Sequence, residues 1–369
     1  MQSECRALPT ASTVLDDFDA LLERLPEAQA SDLHLSSGNP VRWRIHGELQ
    51  ICDTPIWHKL AMERLADALL DAPRCETLRN TGSGDLGRST PGGHRFRVHF
   101  FRSFGQTSIV ARHLPERYAS FEELLLPPEI RDLAYLPSGL VLITGVTGSG
   151  KSTTLATLIH EINANLALHI VTIEDPVEFV HRPIKGLISH RELGQDTPDF
   201  ASAVRACLRE DPDVILVGEL RDTETMRAAL TAAETGHLVF STLHTADAAG
   251  ATERFLGAFP GEEQTLARHR LALVMKAVIA QQLLPRSDRP GRVPALEILR
   301  GTPAVLNLIA SNRTAQIYSA MESGHSLGMR TYDQSMSELV RTGTVSIETA
   351  RALARNPEGF GLLIRGECK

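Results

Sequence analysis

The sequence lacks several features that would point to particular classes of protein. Its 369 residues include only 5 cysteines, which are scattered and never form a C-x-x-C pair. Their scarcity argues against a zinc ribbon and against the disulfide framework of a secreted protein. The N-terminus leads into no sustained apolar segment, and no run of about 18 apolar residues could span a bilayer. We therefore expect a soluble, cytoplasmic protein that contacts a membrane only through partners.

An excess of positive charge is also missing. The chain has 38 Lys and Arg residues against 45 Asp and Glu residues, which gives a net charge of −7. No overall positive field therefore draws the protein onto nucleic acid, and no basic stripe is studded with aromatic residues. A direct nucleic-acid partner is not expected. The hydrophobic content of 42% is high enough, at this length, for two domains with separate cores.

The most informative stretch is an apolar strand that runs into a glycine-rich turn and a helix. The turn matches the P-loop pattern G-x-x-x-x-G-K-[ST] with Gly145, Gly150, Lys151 and Ser152. Glycines let backbone N–H groups face inward as an anion nest, and the start of the helix adds the positive end of its dipole. Lys151 would reach the terminal phosphates of ATP, and the Ser152 hydroxyl would bind Mg²⁺.

A glycine-rich turn can also join a strand and a helix by chance. Here the flanking strand is of the buried type and the following residues have helical periodicity, as a P-loop requires. The sequence therefore predicts an ATP site. The residues expected to contact the nucleotide are Gly145, Thr147, Gly148, Ser149, Gly150, Lys151, Ser152 and Thr153.

Residues 1–113 are predicted to form a small α+β domain. Helical periodicity is found before Pro26 and over residues 59–70. Alternating apolar and polar residues predict half-buried strands at 33–35, 41–47, 95–102 and 108–112. A glycine-rich stretch, 81–93, precedes the predicted strand at 95–102. The proline-containing stretch 114–135 is interpreted as a linker.

Four arginines lie on these predicted strands: Arg95, Arg97, Arg102 and Arg112. For any one of them, the solvated face of a half-buried sheet is a sufficient explanation. Guanidinium groups on neighbouring strands could instead face a phosphate, a ligand that Arg is well suited to bind. The residues alone leave both interpretations open.

Residues 136–369 are predicted to form an α/β domain with a mainly parallel sheet. Apolar strands alternate with helical segments, at 140–144, 169–173, 214–217, 238–241 and 293–299. Such alternation places helices on both faces of the sheet, and ligands then bind at the carboxyl ends of the strands. We expect the chemistry of this domain at that edge.

Acidic residues follow two of these strands. At the end of the third strand, many P-loop ATPases have an Asp that holds Mg²⁺, but here Gly218 takes that place and Glu219 follows it. Glu219 is therefore expected to orient and deprotonate the attacking water. Glu174, after the second strand, is expected to assist catalysis by binding Mg²⁺ or its water shell, together with Ser152.

Two histidines flank the fourth strand, His237 before it and His244 after it. Most histidines are structural hydrogen-bonding groups, although an imidazole can also contact phosphate or move a proton near neutral pH. His244 is the better candidate because it lies at the carboxyl end of the strand. His237 is kept as a weaker nucleotide-binding candidate.

Together these motifs resemble the secretion ATPases of type II and type IV systems, and within them the PilT-like subfamily that retracts type IV pili. The resemblance runs from about residue 15 to residue 360. Besides the P-loop, it is carried by segment 30–35, the Asp box 172–179, the Walker B segment 209–222, the His box 235–245 and segments 318–320 and 326–335.

The resemblance implies a PAS-like N-terminal domain, a RecA-like ATPase domain and a homohexameric ring on an inner-membrane platform protein. By position, Glu219 is the family's catalytic glutamate, and Gly218 matches the family. Arg112, and more weakly Arg97, correspond to arginines of the small domain that complete the nucleotide site. His237 and His244 are the histidines of the His box.

One segment departs from the PilT-like pattern. That subfamily carries Ala-Ile-Arg-Asn-Leu-Ile-Arg-Glu near its C-terminus, whereas residues 304–311 here read AVLNLIAS. The missing tetracysteine module favours the retraction branch. The resemblance therefore implies an ATPase that powers type IV pilus retraction and twitching motility, with a PilT-like ATPase of a type IVB secretion, conjugation or type II secretion apparatus as the alternative.

Overall fold

The computed structural model describes residues 11–45, 47–114 and 117–366, and these residues form two compact units. Unit 1 contains the described residues up to Arg117 together with Pro176–Val180. Unit 2 contains Tyr118–Asp175 and the described residues from His181 onward. His46 of the predicted second strand and residues 115 and 116 of the predicted linker lie outside the described residues.

Unit 1 packs helices against one antiparallel sheet. Its six strands have the spatial order β3-β2-β1-β6-β5-β4, and Phe18, Phe96 and Phe100 are fully buried in its core. In chain order the elements are α1 (Ala11–Glu27), β1 (Ala30–Ser36), β2 (Arg42–Ile45), β3 (Glu48–Ile51), α2 (Lys59–Leu69), α3 (Ala72–Thr81), β4 (Ser83–Ser89), β5 (Arg95–Ser103) and β6 (Gln106–His113).

The glycine-rich stretch 81–93 is more ordered than the sequence suggests. The Asp71 carboxylate caps the start of α3 by accepting from Arg74 N, and Gly82 ends that helix with a positive φ of 81°. The chain then forms β4, which pairs along its whole length with β5. The sequence does not predict β4, because glycine has a low β-propensity; the strand forms here through its pairing with β5.

Unit 2 is built on a seven-stranded sheet of order β13-β12-β7-β11-β10-β8-β9. All neighbouring strands are parallel except β12 and β13, which form an antiparallel pair. The strands are β7 (Gly139–Thr144), β8 (His169–Glu174), β9 (Leu187–Glu192), β10 (Val214–Val217), β11 (Leu238–Leu243), β12 (Met275–Pro285) and β13 (Arg292–Arg300).

Both faces of this sheet are buried, which explains its continuous apolar strands. Leu140 and Leu142 face one hydrophobic core, while Val141 and Ile143 face the other. Two strands were missed from the sequence. The edge strand β9 carries Ser189, His190 and Arg191, and polar glutamines interrupt β12, so neither reads as an apolar run.

Helices cover the two faces. They are α4 (Pro128–Arg131), α5 (Lys151–Asn165), α6 (Phe200–Cys207), α7 (Thr223–Glu234), α8 (Ala248–Gly257), α9 (Gln264–Val274), α10 (Pro303–Ala310), α11 (Ile317–Ser323), α12 (Tyr332–Arg341), α13 (Ile347–Leu353) and α14 (Pro357–Arg365). Within the described part of the chain, no helix combines the length and apolar character needed to cross a bilayer.

Most of the stretch interpreted as a linker packs into unit 2. Phe121, Leu126, Ile130 and Leu133 are buried in the core that α5 shares with the sheet. The prolines there are compatible with an ordered, buried segment, because proline is tolerated at the first turn of a helix such as α4. Proline content alone therefore does not distinguish a linker from an ordered connection.

A buried carboxyl group connects the sheet to the segment that follows β11. Glu297, on β13, is 2% exposed and accepts a hydrogen bond of 2.9 Å from the backbone N–H of Ala248, the first residue of α8. Burial is the main cause that raises the pKa of Glu297 to about 7, and the nearby Asp247 and Asp333 act in the same direction while Arg355 opposes them.

This raised pKa predicts a pH-dependent contribution to stability. Because the folded protein binds the Glu297 proton more tightly than the unfolded chain, the contribution is complete below about pH 4.5 and is lost as the pH rises towards 7. Glu297→Gln does not lose this contribution. The unfolding free energy of Glu297→Gln minus that of wild type should therefore increase by about 2–3 kcal/mol when the pH is raised from 5 to 8. Urea unfolding at both pH values measures this, with the exposed Glu322→Gln as control; a pH-independent difference would contradict it.

Candidate nucleotide-binding site

The turn between β7 and α5 has the backbone conformation of an anion nest. Gly145, Gly148 and Gly150 have φ values of 148°, 79° and 88°, a region that residues with a Cβ rarely adopt. A Cβ on Gly145 would also lie 2.5 Å from Ser149 Oγ, and one on Gly150 would lie 2.7 Å from Gln281 Nε2. Glycine is therefore required at both ends of this turn.

The polar side chains of the turn fit a polyphosphate ligand. Lys151 is 8% exposed, and its ammonium donates to the carbonyls of Gly145 at 2.8 Å and Val146 at 3.2 Å, so its charge is held under the loop. Ser149 Oγ is buried and has no hydrogen-bond partner among the described residues. A donor held in a buried cradle beside a cation suits an anionic oxygen.

Three residues of the turn lie further out. Thr147 and Ser152 are exposed, and Thr153 is half-buried in the first turn of α5. The position of Ser152 leaves its hydroxyl open to a ligand at the mouth of the nest. Contacts of these three residues with a nucleotide stay a prediction.

The parallel sheet brings the other candidates to the same edge. The P-loop follows the last residue of β7, His244 follows β11, Glu219 comes two residues after β10, and Glu174 ends β8. These four strands are neighbours in the order β7-β11-β10-β8, and all run in the same direction. Residues far apart in the sequence therefore share one row above the carboxyl ends of the strands.

Glu219 lies between two cationic or potentially cationic groups. Its Oε1 is 2.6 Å from an Arg221 guanidinium nitrogen, and its Oε2 is 3.5 Å from His244 Nε2. The Glu219 side chain is 16% exposed, whereas the Arg221 side chain is 68% exposed. The hydrogen bond that Arg221 donates to Glu219 raises the pKa of Arg221. A carboxylate so placed can accept a proton or orient a water molecule at the edge of the sheet.

Gly218 allows the end of β10 to pass close to β8. A Cβ on Gly218 would lie 3.3 Å from the Ile173 carbonyl oxygen and 3.5 Å from the Cα of Glu174. The Gly218 N–H donates to that same carbonyl at 2.8 Å. The glycine thus keeps Glu174 and Glu219 on adjacent strand ends, where two carboxylates can serve different roles.

The two predicted histidines are at opposite ends of β11. His244 follows its carboxyl end, where Thr144 Oγ1 accepts from Thr245 N at 2.8 Å and so ties the following turn to the end of β7. His237 precedes the amino end of β11. A strand of 6 residues is about 20 Å long, so the two histidines are separated by about that distance. His237 Nδ1 lies 2.9 Å from the Ala232 carbonyl, a local structural contact. The structure does not bring His237 to the P-loop of its own chain.

The arginine candidates are on unit 1. Arg97 on β5 and Arg112 on β6 are directly opposite each other in the antiparallel pair, so they share a face. Arg112 Nε is 2.8 Å from Asp32, and Arg97 Nε is 3.2 Å from Asp85. The Arg112 side chain remains 67% exposed. Each guanidinium is thus oriented by its own carboxylate while keeping surface for a further anion.

Sequence reasoning missed two side chains of the site. Arg221 lies within the Walker B segment 209–222, but no spacing rule pairs it with Glu219 around a strand end. Gln281, on β12, is 3% exposed and contacts the P-loop. The only sequence feature that could have identified Gln281 is a polar amide within an otherwise apolar stretch. The same polar residue prevented that stretch from being recognised as a strand.

Comparisons with known proteins agree with this geometry. The family described as Type II/IV secretion system protein matches residues 10–350. The type IV pilus retraction ATPase PilT of Pseudomonas aeruginosa is 44% identical over 345 residues, which cover 93% of this chain and 100% of the relative.

Two solved structures are similar over nearly the whole chain. A crystal structure of the pilus retraction motor PilT with bound ADP has a TM-score of 0.83 and 38% identity, and the match covers 92% of this chain and 98% of that one. The X-ray structure of the Legionella pneumophila ATPase DotB has a TM-score of 0.82 and 28% identity, with 98% of both chains covered. The expected fold class, an α/β ATPase domain with a mainly parallel sheet after a small α+β domain, is confirmed.

The placement of Glu219 predicts a separation of binding from turnover. Glu219→Gln keeps the size of the side chain but cannot take a proton, so kcat should fall by about 10²–10⁴-fold while the Kd for ADP stays near the wild-type value. Phosphate release and ADP titration measure the two quantities. The control is Asp222→Asn, because Asp222 caps α7 through Thr225 N, a role that Asn also performs. Turnover within threefold of wild type in Glu219→Gln would remove Glu219 from the catalytic role.

Proposed function

We propose that this chain, which belongs to the Type II/IV secretion system protein family and is a P-loop ATPase, acts as a homohexamer that powers retraction of type IV pili. The observation that carries the ATPase assignment is the single sheet edge that holds the P-loop, Glu219 and His244. The retraction assignment is supported by the PilT relative, because the match spans the whole length of that protein.

The geometry supports hydrolysis of ATP by positioning and charge neutralisation. The nest and Lys151 bind the phosphates, and the exposed Ser152 and the half-buried Glu174 are the residues that would hold Mg²⁺. When bound, Mg²⁺ neutralises phosphate charge. Glu219 orients a water molecule and accepts its proton, while His244, 3.5 Å from Glu219, fixes the carboxylate on the side facing the P-loop strand.

Arg112 and Arg97 are proposed to complete a nucleotide site in the assembled ring. Their exposed guanidinium groups are held by Asp32 and Asp85 on one face of the unit 1 sheet. Planar guanidinium groups stabilise the charge that develops on transferred phosphate. Hydrolysis would then move the two units as rigid bodies, and the ring would act in the cytoplasm on a platform protein of the inner membrane.

A role in a secretion or conjugation apparatus is the second candidate. It is favoured by the description of the matched family, Type II/IV secretion system protein, which names secretion systems. It is also favoured by residues 304–311, which lack both arginines and the acid of the retraction motif. Both candidates use the same ATPase chemistry and differ in the machine that the ring drives.

Deletion of the gene separates the two functions. If the protein retracts pili, the deletion strain should carry excess surface pili and show no twitching, because assembly continues without disassembly. Complementation with wild type should restore movement, whereas complementation with Glu219→Gln should not. Electron microscopy of pili and a twitching assay measure the outcome. Normal pili together with a secretion or conjugation defect would favour the second candidate instead.

A substitution in unit 1 tests the assembled site. Arg112→Ala should lower kcat at least tenfold, since a guanidinium that stabilises phosphate charge is lost. Arg102→Ala, an exposed arginine of the same sheet, is the control and should keep wild-type turnover. Light scattering checks that wild type and both variants have the mass of a hexamer. Equal turnover of the two hexameric variants would exclude Arg112 from the site.

A further inference from the structure

We infer that Gln281 is a positioning residue that holds the P-loop in its nucleotide-binding conformation. Its side chain is 3% exposed, and both ends of its amide are engaged by the loop and helix. Nε2 donates to the Ser149 carbonyl at 2.7 Å, and Oε1 accepts from Thr154 Oγ1 at 2.8 Å. One side chain therefore bridges the loop and the first turn of α5.

The strand that carries Gln281 places it beside the nest. β12 pairs in parallel with β7, and Ala280 is opposite Thr144, the last residue of β7 before the loop begins. Gln281 is the next residue along β12, level with Gly145. Its backbone carbonyl oxygen is the closest atom to a Cβ built on Gly145, and its Nε2 is the closest to one built on Gly150. Gln281 therefore contacts the turn at both of its outer glycines.

An amide is the side chain that this position requires. Ser149 presents a carbonyl, which needs a donor, while Thr154 presents a hydroxyl that here acts as a donor and needs an acceptor. A carboxylate offers only acceptors, and an apolar side chain offers neither. Because the position is buried, a carbonyl left without its donor is costly, and the loop would shift to find another.

The consequence concerns binding rather than chemistry. With the Ser149 carbonyl held towards β12, the following peptide groups are fixed in the positive-φ turn before nucleotide arrives. Gln281 does not need to touch the ligand to have this effect. The inference rests on the P-loop being an ATP site and is independent of which machine the ring drives.

Substitution of Gln281 by methionine and by glutamate tests the inference. Gln281→Met preserves length and removes both hydrogen bonds, so the Kd for ADP should rise about tenfold. Gln281→Glu should weaken ADP binding further at pH 8, where an ionised carboxylate faces the Ser149 carbonyl. At pH 5.5 a protonated carboxyl again supplies one donor and one acceptor, so the Kd ratio to wild type should fall back towards one.

The partner hydroxyl supplies a double-mutant cycle. Thr154→Val removes the bond to Oε1 and should raise the Kd for ADP about threefold. If both side chains act through the hydrogen bond between them, the increase in the Kd for ADP in the Gln281→Met/Thr154→Val double variant should be smaller than the product of the two single-variant increases. An increase in the Kd equal to that product would show that the two side chains act independently and would contradict the inference.

Asn163 is a matched control for burial of an amide. It is 1% exposed on α5, donates to the Arg182 carbonyl at 2.8 Å and accepts from Ile184 N at 3.1 Å, away from the loop. Asn163→Asp should lower the thermal unfolding temperature as Gln281→Glu does, yet leave the Kd for ADP unchanged. A merely structural Gln281 would behave in the same way as Asn163.

The outcomes distinguish failure of the inference from failure of the ATP site. Isothermal titration with ADP is carried out on each folded variant at both pH values. Wild-type affinity in Gln281→Met and Gln281→Glu overturns the positioning role, while wild-type protein that binds no ADP overturns the ATP site itself. The inference is supported if both substitutions raise the Kd for ADP at pH 8 and the Kd returns towards the wild-type value at pH 5.5 in Gln281→Glu but not in Gln281→Met.

Discussion

Parallel pairing of β7, β11, β10 and β8 is the constraint on which the whole site depends. Parallel strands end at the same edge, so the P-loop, His244, Glu219 and Glu174 meet there although they are separated by up to about a hundred residues. The pairing itself is stabilised by cores on both faces of the sheet. A change in strand order would scatter the same residues.

Short hydrogen bonds from strand residues hold the loops that follow neighbouring strands in place. Thr144 ties the end of β7 to the turn after β11, and Thr242 Oγ1 donates to the Gly218 carbonyl at 2.6 Å, which fixes the end of β10 before Glu219. The Gln281 amide does the same for the P-loop from the other side. These bonds are buried or partly buried, so each group would be costly to leave without a partner.

The arginines of unit 1 show how like charges are kept close together. Arg97 and Arg112 are opposite each other on adjacent strands, an arrangement that is unfavourable for two cations alone. Asp85 and Asp32 each pair with one of them, and the bond from Arg112 is among the causes that lower the pKa of Asp32 against the effect of its burial. Pairing offsets the repulsion and leaves both guanidinium groups available at the surface.

The P-loop, the α/β class and the strand ends that carry Glu174, Glu219 and His244 could be predicted from the amino-acid sequence, because glycine spacing and continuous apolar runs are local patterns. Three features required the folded structure: His237 lies at the opposite edge of the sheet, residues 118–135 pack into unit 2, and Gln281 contacts the P-loop from a strand more than 130 residues further along the chain. Such contacts depend on strand order and register, which arise from packing of the whole sheet and leave no periodic trace in the sequence.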